Sequence, residues 1–368
     1  MVSKRFVAKR LLLLIPVLFG VASFVFAILH LSGGDPAQII VGQRASQETV
    51  REVRRELGLN DPILVQYGRF LIEAAQFDFG ESYQISKGTP VRQVLADKLP
   101  VTIELALYGQ GIGLALGLPL GVLSAVKQDS LVDHGTRIGA LTGISVPIYW
   151  SGPLLILLFS GYFELFPAAG RIGSTIFLDD HWVLFGRELP LTGMVTIDTL
   201  ILNTGAYIGS ILNEGLTAIP TVLEHYEAFT SAVMHLFLPA VTIGVYSMAL
   251  ISRMMRSSML EVIRQDYMRT ARAKGQGAKI TVMKHGFRNA MIPVITVVGI
   301  QFGTLLGGAV LTETVFGIGG IGTMLVSAIN ATDYPLVQGA VLTFALLFTL
   351  VNLGVDITYS YLDPRIDQ

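Results

Sequence analysis

The chain has 368 residues, 52% of them hydrophobic and 14% charged, with a net charge of −1. A soluble domain carries about 25% charged residues, so this balance, with a mean hydropathy of +0.60, describes an integral membrane protein in the lipid bilayer and gives no indication of a nucleic-acid partner. The absence of cysteine excludes disulfides, thiolate chemistry and Cys-based metal sites.

Leu11 to His30 is a first apolar run of about one membrane thickness. Lys4, Arg5, Lys9 and Arg10 precede it and place the N-terminus in the cytoplasm. Its apolar core is longer than that of a cleavable signal and lacks a small-x-small cleavage site, so it reads as a retained helix. Residues 1–30 therefore form the cytoplasmic N-terminus and first span.

Residues 31–100 are polar and read as a small extracytoplasmic subdomain. Ser46 is placed as a helix N-cap, Glu48 in a first turn, and Gly58 after Leu57 as a helix stop. Pro62 and the Asp78-Phe79-Gly80 turn break the segment further.

The remaining 101–368 read as the core helical bundle. The second span covers 101–126, where Gly109, Gly113, Gly117 and Gly121 repeat every four residues and share one helix face. A third span is expected over Ile138 to Tyr162, kinked by Pro147 and Pro153. Residues 163–234 contain Arg171 and Arg187 as their only basic residues and read as an external insertion. Within it 192–212 is apolar, but Asp198 and Asn203 argue for an external or interfacial segment. The fourth span is about His235 to Met254 and the fifth about Met291 to Thr312, the fifth with a second small-residue strip of Gly299, Gly303 and Gly307. The connection from Thr314 to Tyr334 has no Lys or Arg, and Leu336 to Thr358 forms a sixth span. Six helices with both termini cytoplasmic satisfy every short loop under the positive-inside rule.

The loop of about 255–290 stands out. Nine Lys or Arg residues fall between Arg253 and Arg288, against only Glu261 and Asp266. Within it Asp266, Tyr267, Arg269, Thr270, Ala271, Arg272, Ala273, Lys274 and Gly275 make a short helix. Its acid lies at the start, its base at the end, and a glycine caps it. Small residues between the charges suit docking of a cytoplasmic partner; on pattern alone a solvated loop that only fixes topology fits as well.

These residues resemble a known family over nearly the whole chain, the permease subunits of ATP-binding-cassette (ABC) importers in their dipeptide/oligopeptide/nickel branch. The resemblance rests on fragments in the family's order. The first region holds Gly34-Asp35-Pro36, Leu57-Gly58-Leu59-Asn60-Asp61-Pro62, Gln66-Tyr67 and Asp78-Phe79-Gly80-Glu81-Ser82. Then come Asp266 to Gly275, His285-Gly286-Phe287-Arg288-Asn289-Ala290 and Glu313-Thr314-Val315-Phe316. Asp333-Tyr334-Pro335, Val337-Gln338-Gly339, Asn352-Leu353 and Asp363-Pro364-Arg365-Ile366 close the series.

The resemblance implies an all-α polytopic membrane protein of six transmembrane helices, the type I importer architecture, in the cell (inner) membrane. It implies four kinds of neighbour: the bilayer, a second homologous permease subunit, two ATP-binding-cassette ATPases and an extracytoplasmic solute-binding protein. The segment 266–275 corresponds to the coupling loop that docks on the ATPase. The family's Glu-Ala-Ala falls on Arg269, Thr270 and Ala271, so the glutamate is absent, as in the peptide branch. No cofactor is expected on this chain, since Lys87-Gly88-Thr89 is no P-loop; ATP and Mg belong to the partner ATPases. The chain is therefore expected to be a non-catalytic subunit of a peptide importer. The same scaffold serves nickel or oligosaccharides, and a non-transporting sensor of an ATPase is the remaining alternative.

Three residues are pathway candidates. Glu313 ends the fifth span, where an ionisable group serves either the pathway or a structural hydrogen-bond network. Glu104 lies near a span end, as does Asp356, and Pro147 with Trp150 could kink a pore helix. The six histidines show no metal-ligand spacing.

Overall fold

The structure is a computed structural model that describes residues 4–31, 35–42, 45–176, 181–184, 187–202 and 219–362. The motif Asp363 to Ile366 and residues 203–218 of the insertion lie outside the described residues.

Helix α1 (Lys4–Leu31) is followed by three short helices, α2 (Pro36–Val41), α3 (Gln47–Glu56) and α4 (Ile63–Ala75). Ser46 caps α3, accepting from the Thr49 N–H at 3.2 Å, and Gly58 takes the left-handed conformation (φ +64°) just past its end. The long α5 (Val91–Val126) then enters the bundle. It starts ten residues ahead of the expected second span, because Pro90 supplies a ready N-terminal boundary.

After α5 come α6 (Leu131–Ser145) and α7 (Ile148–Leu155), which continues as a π-helical stretch to Tyr162. Here the expectation of a single kinked span over 138–162 is corrected: the two halves meet at 103°. Val146, pushed out of helical geometry by the following Pro147, is extended (φ −81°, ψ 119°), and Pro147 is extended too (φ −62°, ψ 136°). Two extended residues in succession redirect the axis instead of bending it.

An antiparallel ribbon, β1 (His181–Leu184) with β2 (Arg187–Pro190), pairs His181 with Pro190 and Leu184 with Arg187. Residues 195–202 are helical. Helix α8 (Ile219–Ile263) and the short α9 (Asp266–Ala273) precede α10 (Arg288–Phe316), which is entered from Ala278 through a π-helical stretch, Thr281–Phe287. The connection after α10 is not a plain loop: α11 (Ile321–Asn330) turns back at 85° before α12 (Tyr334–Leu362). Among the described residues five helices are long and apolar enough to cross a membrane, and each bent pair adds a possible further crossing.

The bundle centres on α5 against α8. Gly109, Gly113, Gly117 and Gly121 are all buried on that seam. A side chain at Gly113 would meet Ser247 Oγ at 2.7 Å, one at Gly117 the Met248 carbonyl at 2.9 Å, and one at Gly121 the Met255 Cβ at 2.6 Å. The four-residue spacing lets the backbones approach closely, as small-residue strips do in membranes. The second strip behaves differently. Gly299 packs on Val355 and Gly303 on Phe348, both of α12, whereas Gly307 has nothing within 4 Å. Gly307 points away from that seam, so only the first two members of the strip are close-packed.

One carboxylate ties the α2–α4 end to the bundle. Asp333, fully enclosed between α11 and α12, accepts from Ser82 Oγ at 2.6 Å and from the N–H groups of Tyr83, Gln84 and Ile85 at 3.1, 2.9 and 3.0 Å.

Candidate coupling site and its supporting carboxylates

At the opposite end of the bundle, α8 stops at Ile263 and Gln265 is extended (φ −69°, ψ 150°), which swings α9 off the α8 axis. Both bonds of a Schellman motif close α9. The Gly275 N–H donates to the Arg272 carbonyl at 3.0 Å, and the Gln276 N–H to that of Ala271 at 3.3 Å. Gly275 has φ +79°, a conformation that a residue with a Cβ adopts at a cost.

The helix has two unlike sides. Met268 is fully enclosed and Ala271 nearly so. A Cβ at the buried Gly286 would lie 3.3 Å from the Met259 methyl and 3.5 Å from that of Met268, so these groups converge on the π-helical stretch. Ala271, of which 9% of the surface is exposed, packs on the chain's own side of the helix. Asp266, Tyr267, Arg269, Thr270, Arg272, Ala273, Lys274 and Gly275 are exposed. Arg269 and Asp266 approach only to 3.7 Å with both side chains in solvent, a pairing that contributes little. The outward face is thus cationic and its charges are free to meet a partner.

Behind α9 the chain is held in place by polar contacts. His285 Nε2 lies 2.9 Å from Gln276 Oε1, and Thr281 Oγ donates to the Gly277 carbonyl at 3.2 Å. Asn289 Nδ2 donates to the His285 carbonyl at 2.8 Å.

Further along α8 is a pair the sequence reading did not single out. Arg256 donates from Nε and Nη2 to the two carboxylate oxygens of Asp133, at 2.6 and 2.7 Å. Asp133 is fully enclosed and also accepts from Ser124 Oγ at 2.5 Å and the Asp129 N–H at 3.0 Å. Ser130 as N-cap places Asp133 in the first turn of α6, a local signal; its partner lies 123 residues away.

Two of the pathway candidates, Glu313 and Glu104, sit toward the α2–α4 end. Glu313 is fully enclosed; it accepts from Thr102 Oγ at 2.6 Å and the Thr323 N–H at 3.0 Å, so it caps the start of α11. Glycine is required beside it, because a Cβ at Gly320 would lie 2.6 Å from its carboxyl carbon. Glu104, on the other side of α5, is also buried and accepts from Arg171 Nη2 at 3.0 Å, the N–H groups of Val195 and Thr196 at 3.2 and 2.7 Å, and Thr196 Oγ at 2.5 Å. Arg171 also donates to the Gly193 carbonyl at 2.6 Å. Glu104 thus anchors the described part of the insertion. Pro147 forms the corner between α6 and α7, with Trp150 exposed. Asp356 pairs with Arg10 at 2.8 Å. Among the described residues no group of His, Asp and Glu is placed to hold a metal ion.

Residues 117–368 match the family described as binding-protein-dependent transport system inner membrane component, and residues 3–106 match that system's N-terminal membrane component family. The chain belongs to this family. It is an inner membrane component, a multi-pass permease subunit and not an enzyme, in a system that works with a binding protein and an ATPase. Over 358 residues it is 40% identical to the dipeptide transport system permease protein DppB of Alkalihalophilus pseudofirmus, covering 97% of this chain and 98% of that one. The dipeptide permease DppB of Escherichia coli strain K12 is 41% identical over 364 residues, with 98% of each covered. The di/tripeptide permease DppB of Pseudomonas aeruginosa is 41% identical over 362 residues, with the same coverage.

Proposed function

We propose that this chain forms half of the translocation pathway of an ATP-driven importer of di- and oligopeptides, and that α9 is the helix through which ATPase movement reaches the bundle. The observation that carries the coupling assignment is the two-sided character of α9. Its Met268 side is locked into the chain, its cationic side is free, and a Schellman motif with Gly275 closes it as a rigid unit. A lever of this kind converts motion of a docked partner into rigid-body motion of α8. The peptide assignment rests on near full-length similarity to permeases named for dipeptide and di/tripeptide transport.

In this arrangement α9 faces the cytoplasm, as its basic charge requires, and α2–α4 with the 163–234 insertion lie outside, toward the solute-binding protein. Both termini are then cytoplasmic, and the α6–α7 pair makes one broken crossing. A second, homologous permease subunit supplies the other half of the pathway, with two ATPases below. Glu313 and Glu104 shape the outer mouth, one through α11 and the other through the insertion, and Pro147 sets the corner of the broken crossing.

The test is uptake of labelled dipeptides, nickel and oligosaccharides by cells that lack or express this chain with its partners. Expression-dependent uptake of peptides alone is the expected result. Uptake of nickel or a sugar instead would overturn the substrate assignment, and an assembled complex that moves no solute would leave the sensor reading.

A further inference from the structure

We propose that Asp133 and Arg256 are positioning residues for energy coupling, fixing the α5–α6 corner to the cytoplasmic end of α8 so that motion of α9 is delivered to three helices together. This rests on the assignment of α9 as the coupling helix.

Arg256 lies seven residues before Ile263, where α8 ends, about 10 Å along the helix at the usual rise per residue. Both oxygens of Asp133 are doubly occupied. Oδ1 accepts from Ser124 Oγ and Arg256 Nε, and Oδ2 from the Asp129 N–H and Arg256 Nη2. One carboxylate therefore joins the end of α5, the turn after it, the first turn of α6 and the side of α8.

The surroundings show what this pair adds. The same end of the bundle is packed by Ala125, Ile251, Met255, Met259, Ala290 and Val294. Such apolar contact supplies adhesion but little directional restraint, and methionine in particular repacks readily. A bidentate guanidinium–carboxylate pair fixes both distance and angle. A buried ion pair contributes little net stability over an apolar replacement, so the gain lies in orientation. Without it α8 can slide against the α5–α6 corner when α9 is pushed, and the displacement is lost within the bundle.

The test uses the full importer in proteoliposomes, with Asp133→Asn, Arg256→Gln and the double variant, beside wild type and Gly275→Val. Peptide import and ATP hydrolysis are both measured per assembled complex. A purely structural role would lower the amount of complex and leave peptide imported per ATP at its wild-type value. The expected result is a fall of about tenfold or more in that ratio in both single variants and in the double variant, because the bidentate contact that orients α8 on the α5–α6 corner is lost in all three. Arg256→Lys, which keeps the charge but not the fork, should restore part of it.

If the single variants do not assemble, the double variant decides, since it strands no charge. A wild-type ratio in any assembled variant other than Arg256→Lys overturns the proposal. Gly275→Val separates the two levels. A normal ratio there would refute the α9 assignment itself, whereas uncoupling by Gly275→Val alone would refute only the role of the pair.

Discussion

Thr102 Oγ donates to Glu313 at 2.6 Å and accepts from the Ile321 N–H at 3.0 Å, joining α5 to the tip of α10 and the start of α11 in one enclosed network. This network lies at the 85° bend between α10 and α11. Thr102→Val and Glu313→Gln should each destabilise the assembled complex by roughly 1–3 kcal/mol, the cost of leaving a buried polar group unpaired, while Thr102→Ser should be near neutral. Thermal unfolding of the purified complex in detergent measures this. Equal melting temperatures for Val and Ser at this position would show that the bond does not hold α11.

The two glycine strips should respond unequally. Gly113→Leu and Gly303→Leu drive a branched side chain into Ser247 and Phe348, and the yield of folded complex should collapse. Gly307→Leu enters open space and should change stability by no more than about 0.5 kcal/mol. Equal yields for Gly113→Leu and Gly307→Leu would refute close packing on the α5–α8 seam.

Asp333 makes the seating of the 78–90 segment pH-dependent. Burial disfavours its charged form, but the hydrogen bonds from Ser82, Gln84, Ile85 and Tyr83 outweigh that and hold its carboxyl below the usual carboxylate range. A lowered folded-state pKa gives stabilisation that is fully present above the ordinary carboxylate value and is lost as pH falls through the lowered one. Protease sensitivity of the segment should therefore rise on acidification in the wild type. Asp333→Asn should be sensitive already at neutral pH and lack that acid-side rise. Identical pH profiles would rule this out.

Topology is open to direct labelling, since the chain has no cysteine. Lys274→Cys and Asn330→Cys lie at exposed positions and should react with an impermeant thiol reagent from opposite faces of the membrane. Reaction of both from one face would exclude the assigned orientation.

Much of the architecture was legible in the residues because its signals are local. Apolar runs of membrane length, glycines every four residues and the Asp266 to Gly275 pattern all report on their own helix. What sequence could not give is set by distant partners. The 103° corner needs both Val146 and Pro147 extended, while a proline in an apolar run equally suits a kinked helix. Helix α11 lay hidden in a connection without Lys or Arg, because Glu313, which caps it, looks from sequence like a pathway residue. The Asp133–Arg256 and Glu104–Arg171 pairs span 123 and 67 residues, and no local rule links their members.

The central claim is that the cationic face of α9 touches the ATPase. A single cysteine at Ala273, exposed at the end of that face, can be joined to nearby amines by a short thiol-to-amine cross-linker in membranes holding the full importer. An adduct between this chain and an ATPase subunit is the expected result, and none from a control cysteine at Asn330. Failure to form that adduct in a complex that still imports peptide would contradict it.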